Sequence, residues 1–161
     1  MDWFFTSDEH HLHKMILKYR TIFSSVEEMT EIIIERHNEV VPKRNAMTVH
    51  VGDFCFGKRT EAEKIINRLN GDHIFILGNH DKWLPENTRQ IWSRYIDLIY
   101  VVACHYPIHV WNYKEHGSIH VHGHMHDPFF YNRWAYQVNS EFHNFYPVSL
   151  DEIISTIAKR K

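Results

Sequence analysis

Cysteine is scarce: Cys55 and Cys104 are the only two in 161 residues, too few for a disulfide framework. A chain this long buries roughly 70% of its unfolded surface, so its core needs no covalent staple. Long apolar runs are missing too. None approaches the roughly 18–20 residues that span a bilayer. The opening Met1-Asp2-Trp3-Phe4-Phe5 has no basic segment before an apolar stretch, so no signal peptide is expected. The six glycines and five prolines form no linker, and no repeat or low-complexity segment divides the chain. A single domain over residues 1–161, soluble and in the reducing cytoplasm, is the expectation. Charge of one sign is lacking as well, with 18 basic against 20 acidic residues and a net charge of −2. The one basic cluster, Lys159-Arg160-Lys161, reads as a solvated helix end. A protein that grips long nucleic acid through its phosphates needs far more basic surface, so no strong nucleic-acid patch is expected. Bound metals could still supply the charge that a nuclease needs.

Histidine, by contrast, is abundant, at 15 residues. His10, His11 and His13 lie together, as do His120, His122, His124 and His126, and neutral imidazole is a common ligand for zinc-like metals. The clusters are internal, which excludes a terminal purification tag.

Strand-like apolar runs alternate with helix-like segments. Trp3 to Thr6 stops at Ser7-Asp8, Met47 to Val51 at Gly52-Asp53, and His73 to Leu77 at Gly78-Asn79-His80-Asp81. Leu98 to Ala103 runs into Cys104-His105, and Ile119 to Val121 into Gly123-His124-Met125-His126. Between them, Ser25 with Glu28 has capping-box spacing ahead of Met29, Ile32, Ile33 and His37 at helical period. Thr60 to Asn70 reads as a helix closed by Gly71, Pro85 to Tyr95 as another, and Ser149 caps a last one carrying Ile153, Ile154 and Ile157. Each of the five apolar runs thus ends in a residue able to bind metal: Asp8, Asp53, Asn79, His105 and His124. In α/β folds ligands bind at the carboxyl ends of strands, so neighbouring strands would bring these residues to one rim.

With His10 and His126 the set holds two aspartates, one asparagine and four histidines. Oxygen and imidazole donors of this kind suit Mn, Fe, Ni, Zn or Co. Seven ligands exceed one tetrahedral site, but with a shared carboxylate they suffice for two sites with open positions. Two metals about 3.5–4 Å apart can clamp both the attacking and the leaving oxygen of a displacement at phosphorus.

Asp8-Glu9-His10, Gly52-Asp53, Gly78-Asn79-His80-Asp81, His105 and Gly123-His124-Met125-His126 together resemble, in order, the five motifs of the calcineurin-like metallophosphoesterases. The stretch Asn139 to Ile153 is similar to the end of small bacterial and phage members. The resemblance implies an α/β fold of two packed mixed β-sheets flanked by helices, without a cap domain. It implies that Asp8, His10 and His126 hold one metal, that Asn79, His105 and His124 hold a second, and that Asp53 bridges them. His80 would protonate the leaving oxygen and Asp81 would orient His80. The implied activity is hydrolysis of a phosphomonoester or phosphodiester by a metal-bridging hydroxide, with two divalent transition-metal ions, manganese favoured. Cys104 stands where the fourth motif often has glycine, and His109 and His116 lie close by. His105 is preferred because an apolar run delivers it to a strand end.

Around this set, His13 and Arg133 are candidates for contact with the substrate or for backing the site. His11, His50, His120 and His122 read as packing residues, and Cys55 and Cys104 as small buried thiols. Phe54, Phe56, Trp111, Tyr113, Trp134 and Tyr136 read mainly as core, with base stacking as the rival reading. The complete ligand set together with His80 argues against a catalytically silent scaffold of the same fold. The charge balance favours a small or terminal phosphate ester, with nucleotides among the candidates, over internal sites in long nucleic acid. A nuclease is the alternative.

Overall fold

The computed structural model describes residues 1–127 and 132–160. Two four-stranded mixed sheets carry the chain. The first contains β1 (Asp2–Thr6), β2 (Ala46–Val51), β3 (Asp72–Ile76) and β8 (Val148–Ser149), in the order β3-β2-β1-β8. The second contains β4 (Ile91–Ile96), β5 (Ile99–Cys104), β6 (Ile119–His122) and β7 (Ala135–Gln137), in that order. β1, β2 and β3 run parallel, as do β5, β6 and β7, while β8 and β4 are antiparallel to their neighbours.

The sheets face each other across one core. Phe5, Val49, Val51 and Ile76 come from the first, and Trp92, Ile96, Val101, Ala103 and Val121 from the second. The helix α3 (Leu150–Lys159) adds Leu150, Ile153 and Ile157. Helices α1 (Val26–Val40) and α2 (Arg59–Ile66) pack with Phe54 and Phe75 in a separate cluster through Ile34, Ala62 and Ile65. Burial on both faces explains why the parallel strands read as continuous apolar runs rather than alternating ones. Among the described residues no helix is long and apolar enough to cross a membrane.

Three helix readings change. Residues Pro85 to Tyr95 form no helix; Ile91–Ile96 is β4, hairpinned to β5 through Asp97 and Leu98. Its two buried residues, Trp92 and Ile96, are four apart, a spacing that suits one face of a helix and one face of a strand alike. The decision falls to β-branched and aromatic content and to Asp97, which takes the left-handed φ of 51° that the turn requires. The helix expected over Thr60 to Asn70 stops at Ile66. Tertiary bonds end it: Asn70 N donates to Asn38 Oδ1 at 2.7 Å and Asn70 Nδ2 to Val41 O at 3.1 Å, tying the segment to the end of α1. Ser25 caps α1 by accepting from Glu28 N, but the Glu28 carboxylate turns to Ser24 N at 2.7 Å instead of closing the box on Ser25. At the C terminus Arg160 is a packing residue: its guanidinium lies over the Tyr136 ring, 5.4 Å from the ring centre, and donates to Ala135 O. Lys161 lies outside the described residues.

Candidate metal centre

The residues that follow β1, β2, β3, β5 and β6 meet at the carboxyl ends of both sheets. Asp8 N donates to Gly52 O, His10 N to Asp53 O, and Gly123 N to His105 O, each at 3.0 Å, so the ligand-bearing loops are joined through their backbones. Two motif glycines are explained by this closeness. A Cβ on Gly78 would sit 2.2 Å from Asp53 Oδ1, and one on Gly123 2.4 Å from Asp8 Oδ2. Asp8, His10, Asp53 and His124 all hold left-handed φ values between 54° and 64°. Backbone strain of this kind collects at functional sites.

Asp8 Oδ2 accepts from Ser7 Oγ at 2.6 Å and from His124 N at 3.0 Å. Its other oxygen, Oδ1, is buried with no hydrogen-bond partner and lies 3.9 Å from His10 Nε2, which is equally buried and unpartnered. Asp53 Oδ2 is 3.8 Å from His10 Nε2 and 3.4 Å from His105 Nε2, and His105 Nε2 is 3.1 Å from Asn79 Oδ1. Asp8, His10 and His126 form one group of ligand atoms within 4.8 Å of one another, and Asp8, Asp53 and His105 form another. His124 lies beside the second group, its ring 5.1 Å from that of His105. The structure thus brings His105 to the centre, while His109 is exposed in the following loop.

Three of these histidines are held by the nitrogen that points away from the centre. His105 Nδ1 donates to Val51 O at 2.9 Å, and His126 Nδ1 donates to Glu141 Oε2 at 3.0 Å. His10 Nδ1 lies 3.2 Å from His13 Nδ1. Anchoring one ring nitrogen fixes the tautomer and leaves the lone pair of Nε2 for a ligand, the arrangement usual for metal-binding histidine. Burial drives the His10 pKa down to about 3, so its ring is neutral, as metal binding requires. Burial pushes Asp8 up to about 6 against the pull of His105. Asp53 is buried too, yet the hydrogen bond and charge of His105 with its Nε2 protonated, and the His80 N–H, hold it down at about 2; a cation would take the place of that proton. Leaving a buried polar atom unpaired costs about 1–3 kcal/mol, and a cation between Asp8 Oδ1 and His10 Nε2 would pair both. The donors are oxygen and imidazole, and neither cysteine sulfur belongs to either group, so the residues fit divalent transition metals.

His80 is half-buried. Its backbone N donates to Asp53 Oδ1 at 2.8 Å, and its ring stands 5.6 Å from those of His10 and His13 and 5.5 Å from Phe56. The Asp81 carboxylate accepts from Asp53 N, Phe54 N, Cys55 N, Gly78 N and Trp83 Nε1 at 2.6–3.2 Å. It fastens the loop after β2 to the loop after β3; the His80 ring is not among these donors. Arg133 is exposed in the turn before β7, its guanidinium 4.6 Å from the Trp134 ring centre. His11, His50, His120 and His122 are all buried packing residues, and Cys55 and Cys104 are buried free thiols.

Sequence reasoning missed Glu141 and Arg20. Glu141 sits in a short 3-10 helix, Ser140–His143, just after β7, where Asn139 Oδ1 accepts its N–H. The buried Arg20 donates to Glu141 Oε1 at 2.8 Å, to Glu9 O at 2.8 Å and to Asp8 O. One guanidinium therefore ties the Asp8–His10 loop to the carboxylate that holds His126. The similarity of the stretch beginning at Asn139 was the available signal for Glu141; a lone arginine in a polar segment gave none for Arg20.

No family model matches the chain. An uncharacterized protein, MJ1445, of Methanocaldococcus jannaschii is 35% identical over 162 residues, covering 96% of this chain and 90% of that one. A protein of unknown function from Aquifex aeolicus, AQ665, superposes with a TM-score of 0.74 at 21% identity, over 96% of this chain and 98% of that one. Yfce, a phosphoesterase from E. coli, superposes with a TM-score of 0.52 at 20% identity, over 86% and 78%. The architecture is the calcineurin-like metallophosphoesterase fold that the motifs led us to expect. The chain belongs to the family of MJ1445.

Proposed function

We propose that this chain is a dinuclear metal-dependent phosphoesterase. The observation that carries the reading is the convergence of anchored histidines on two buried carboxylates, with Asp8 Oδ1 and His10 Nε2 left unpartnered. In this reading Asp8, His10 and His126 hold one cation, Asn79, His105 and His124 the other, and Asp53 is shared. Such a pair, manganese being our preference, would supply Lewis acidity toward phosphoryl oxygens and lower the pKa of a bound water. His80 gives a ring N–H to the departing oxygen. Asp81, through its five donors, keeps the Asp53 and His80 backbones in register. His13 fixes the ring of His10 from behind. Arg133, stacked on Trp134, remains a candidate for reaching an extended substrate. The presence of every ligand favours an enzyme over a silent scaffold.

Glu141 provides a test of the first cation site. Removing a partner that orients a metal-bound histidine typically costs 10–100-fold in affinity. Glu141→Ala is expected to weaken binding of one cation by about that factor and to leave the other in place. Competition with a chelator, with circular dichroism as a check on folding, measures it. Equal loss at both sites would remove the assignment of His126.

The substrate is expected to be small or terminal. Net charge is −2, and six to ten phosphate contacts would make affinity fall ~10³–10⁵ between 50 and 200 mM salt. Phosphomonoesters, cyclic nucleotides, dinucleotides, single-stranded DNA and long duplex DNA, each with Mn, Ni, Zn or Mg, form the test panel. Turnover of small esters with shallow salt dependence is expected. Faster cleavage of the duplex with a steep salt slope would make the protein a nuclease, and no turnover with any metal would make it a scaffold.

A further inference from the structure

Most exposed large apolar side chains lie away from the metal centre, but Phe56 and Tyr106 pack directly on its histidines. Phe56 is 47% exposed, and its ring lies parallel to His13 at 4.2 Å and tilted to His80 at 5.5 Å. Tyr106 is 45% exposed and meets His105 and His124 edge to face, at 5.2 and 4.6 Å. The two rings come from different sheets: Phe56 from the loop after β2, Tyr106 from the residue after His105. Phe56 N donates to His11 O at 2.9 Å, which zips its loop to the His10–His13 segment. One ring therefore stands on the His10, His13 and His80 side of the centre and the other on the His105 and His124 side, with Asp53 between them.

A phosphomonoester has one organic group to place, whereas a diester has two. The nearby arginine is buried and turned inward, with Arg20 committed to Glu141 and to the carbonyls of Asp8 and Glu9. What the rim offers the rest of the substrate is two rings with open surface. We propose that the preferred substrate is a phosphodiester with a flat, nucleoside-like group on each side of phosphorus, one stacked on Phe56 and the other on Tyr106. This rests on the phosphoesterase reading above. Stacking a base on an aromatic side chain is worth ~1–3 kcal/mol, which is about 5–150-fold in binding.

The test compares an adenine dinucleotide with a methyl ester of AMP on the manganese-loaded protein. Wild type is expected to favour the dinucleotide by about 5–150-fold in kcat/KM, mainly through KM. In Phe56→Leu and Tyr106→Leu, which keep apolar volume but lose the ring face, that preference should fall toward one. Metal content by elemental analysis should stay at the wild-type value. Equal use of both esters by wild type would overturn the proposal. So would variants that lose metal instead of raising KM, since the rings would then merely brace the histidines. If wild type hydrolyses neither ester nor any other on the panel, the phosphoesterase reading itself fails.

Discussion

Asp53→Asn is expected to take the protein from about two bound transition-metal ions to almost none. The reason is positional: Asp53 Oδ2 stands within 3.8 Å of His10 Nε2 and 3.4 Å of His105 Nε2, so one oxygen faces ligands of both sites. The amide keeps the acceptor for His80 N but removes the charge that offsets two cations in a buried site. Asp81, which fastens this loop through backbone N–H groups, is untouched, so the fold should survive. Elemental analysis of the purified variant decides the matter, and wild-type content would falsify the bridging assignment. Asp8→Asn is the informative companion, because Asp8 belongs to both groups of converging ligand atoms. If that variant empties both sites and Asp53→Asn only one, the shared carboxylate is Asp8.

His80→Ala should behave in the opposite way, keeping its metal and losing turnover by ~10²–10⁴-fold, the usual contribution of a positioned acid or base. His80 reaches the centre through its backbone, donating to Asp53 Oδ1, while its ring packs among His10, His13 and Phe56. An alanine keeps the backbone bond and removes only the ring. The loss should be large for alkyl leaving groups and small for nitrophenoxide, which departs without a proton. Uniform loss across leaving groups would remove the acid role and leave His80 as a packing residue.

Much of the candidate site could be read along the chain because its residues follow strand ends, and strand ends show as the points where apolar runs stop. Asp8, Asp53, Asn79, His105 and His124 all stand just past such points. The strand β4 was misread because Trp92 and Ile96 satisfy both periodicities, and only its pairing with β5 separates them. The end of α2 was misplaced because Asn38 and Val41, some thirty residues earlier in the chain, terminate it through Asn70. Glu141 and Arg20 escaped for a similar reason, since they act on the centre through long-range hydrogen bonds and belong to no periodic segment. Asp81 was expected to orient the His80 ring, whereas its hydrogen bonds run to the backbones of two loops and to Trp83.

The most direct test strips the protein with a chelator and then adds manganese back in steps, following heat of binding and hydrolysis of a small phosphodiester in the same titration. Two equivalents should bind, with hydrolysis rising as the second is filled. Full occupancy with no hydrolysis of any phosphate ester, or saturation at a single equivalent, would contradict a dinuclear phosphoesterase.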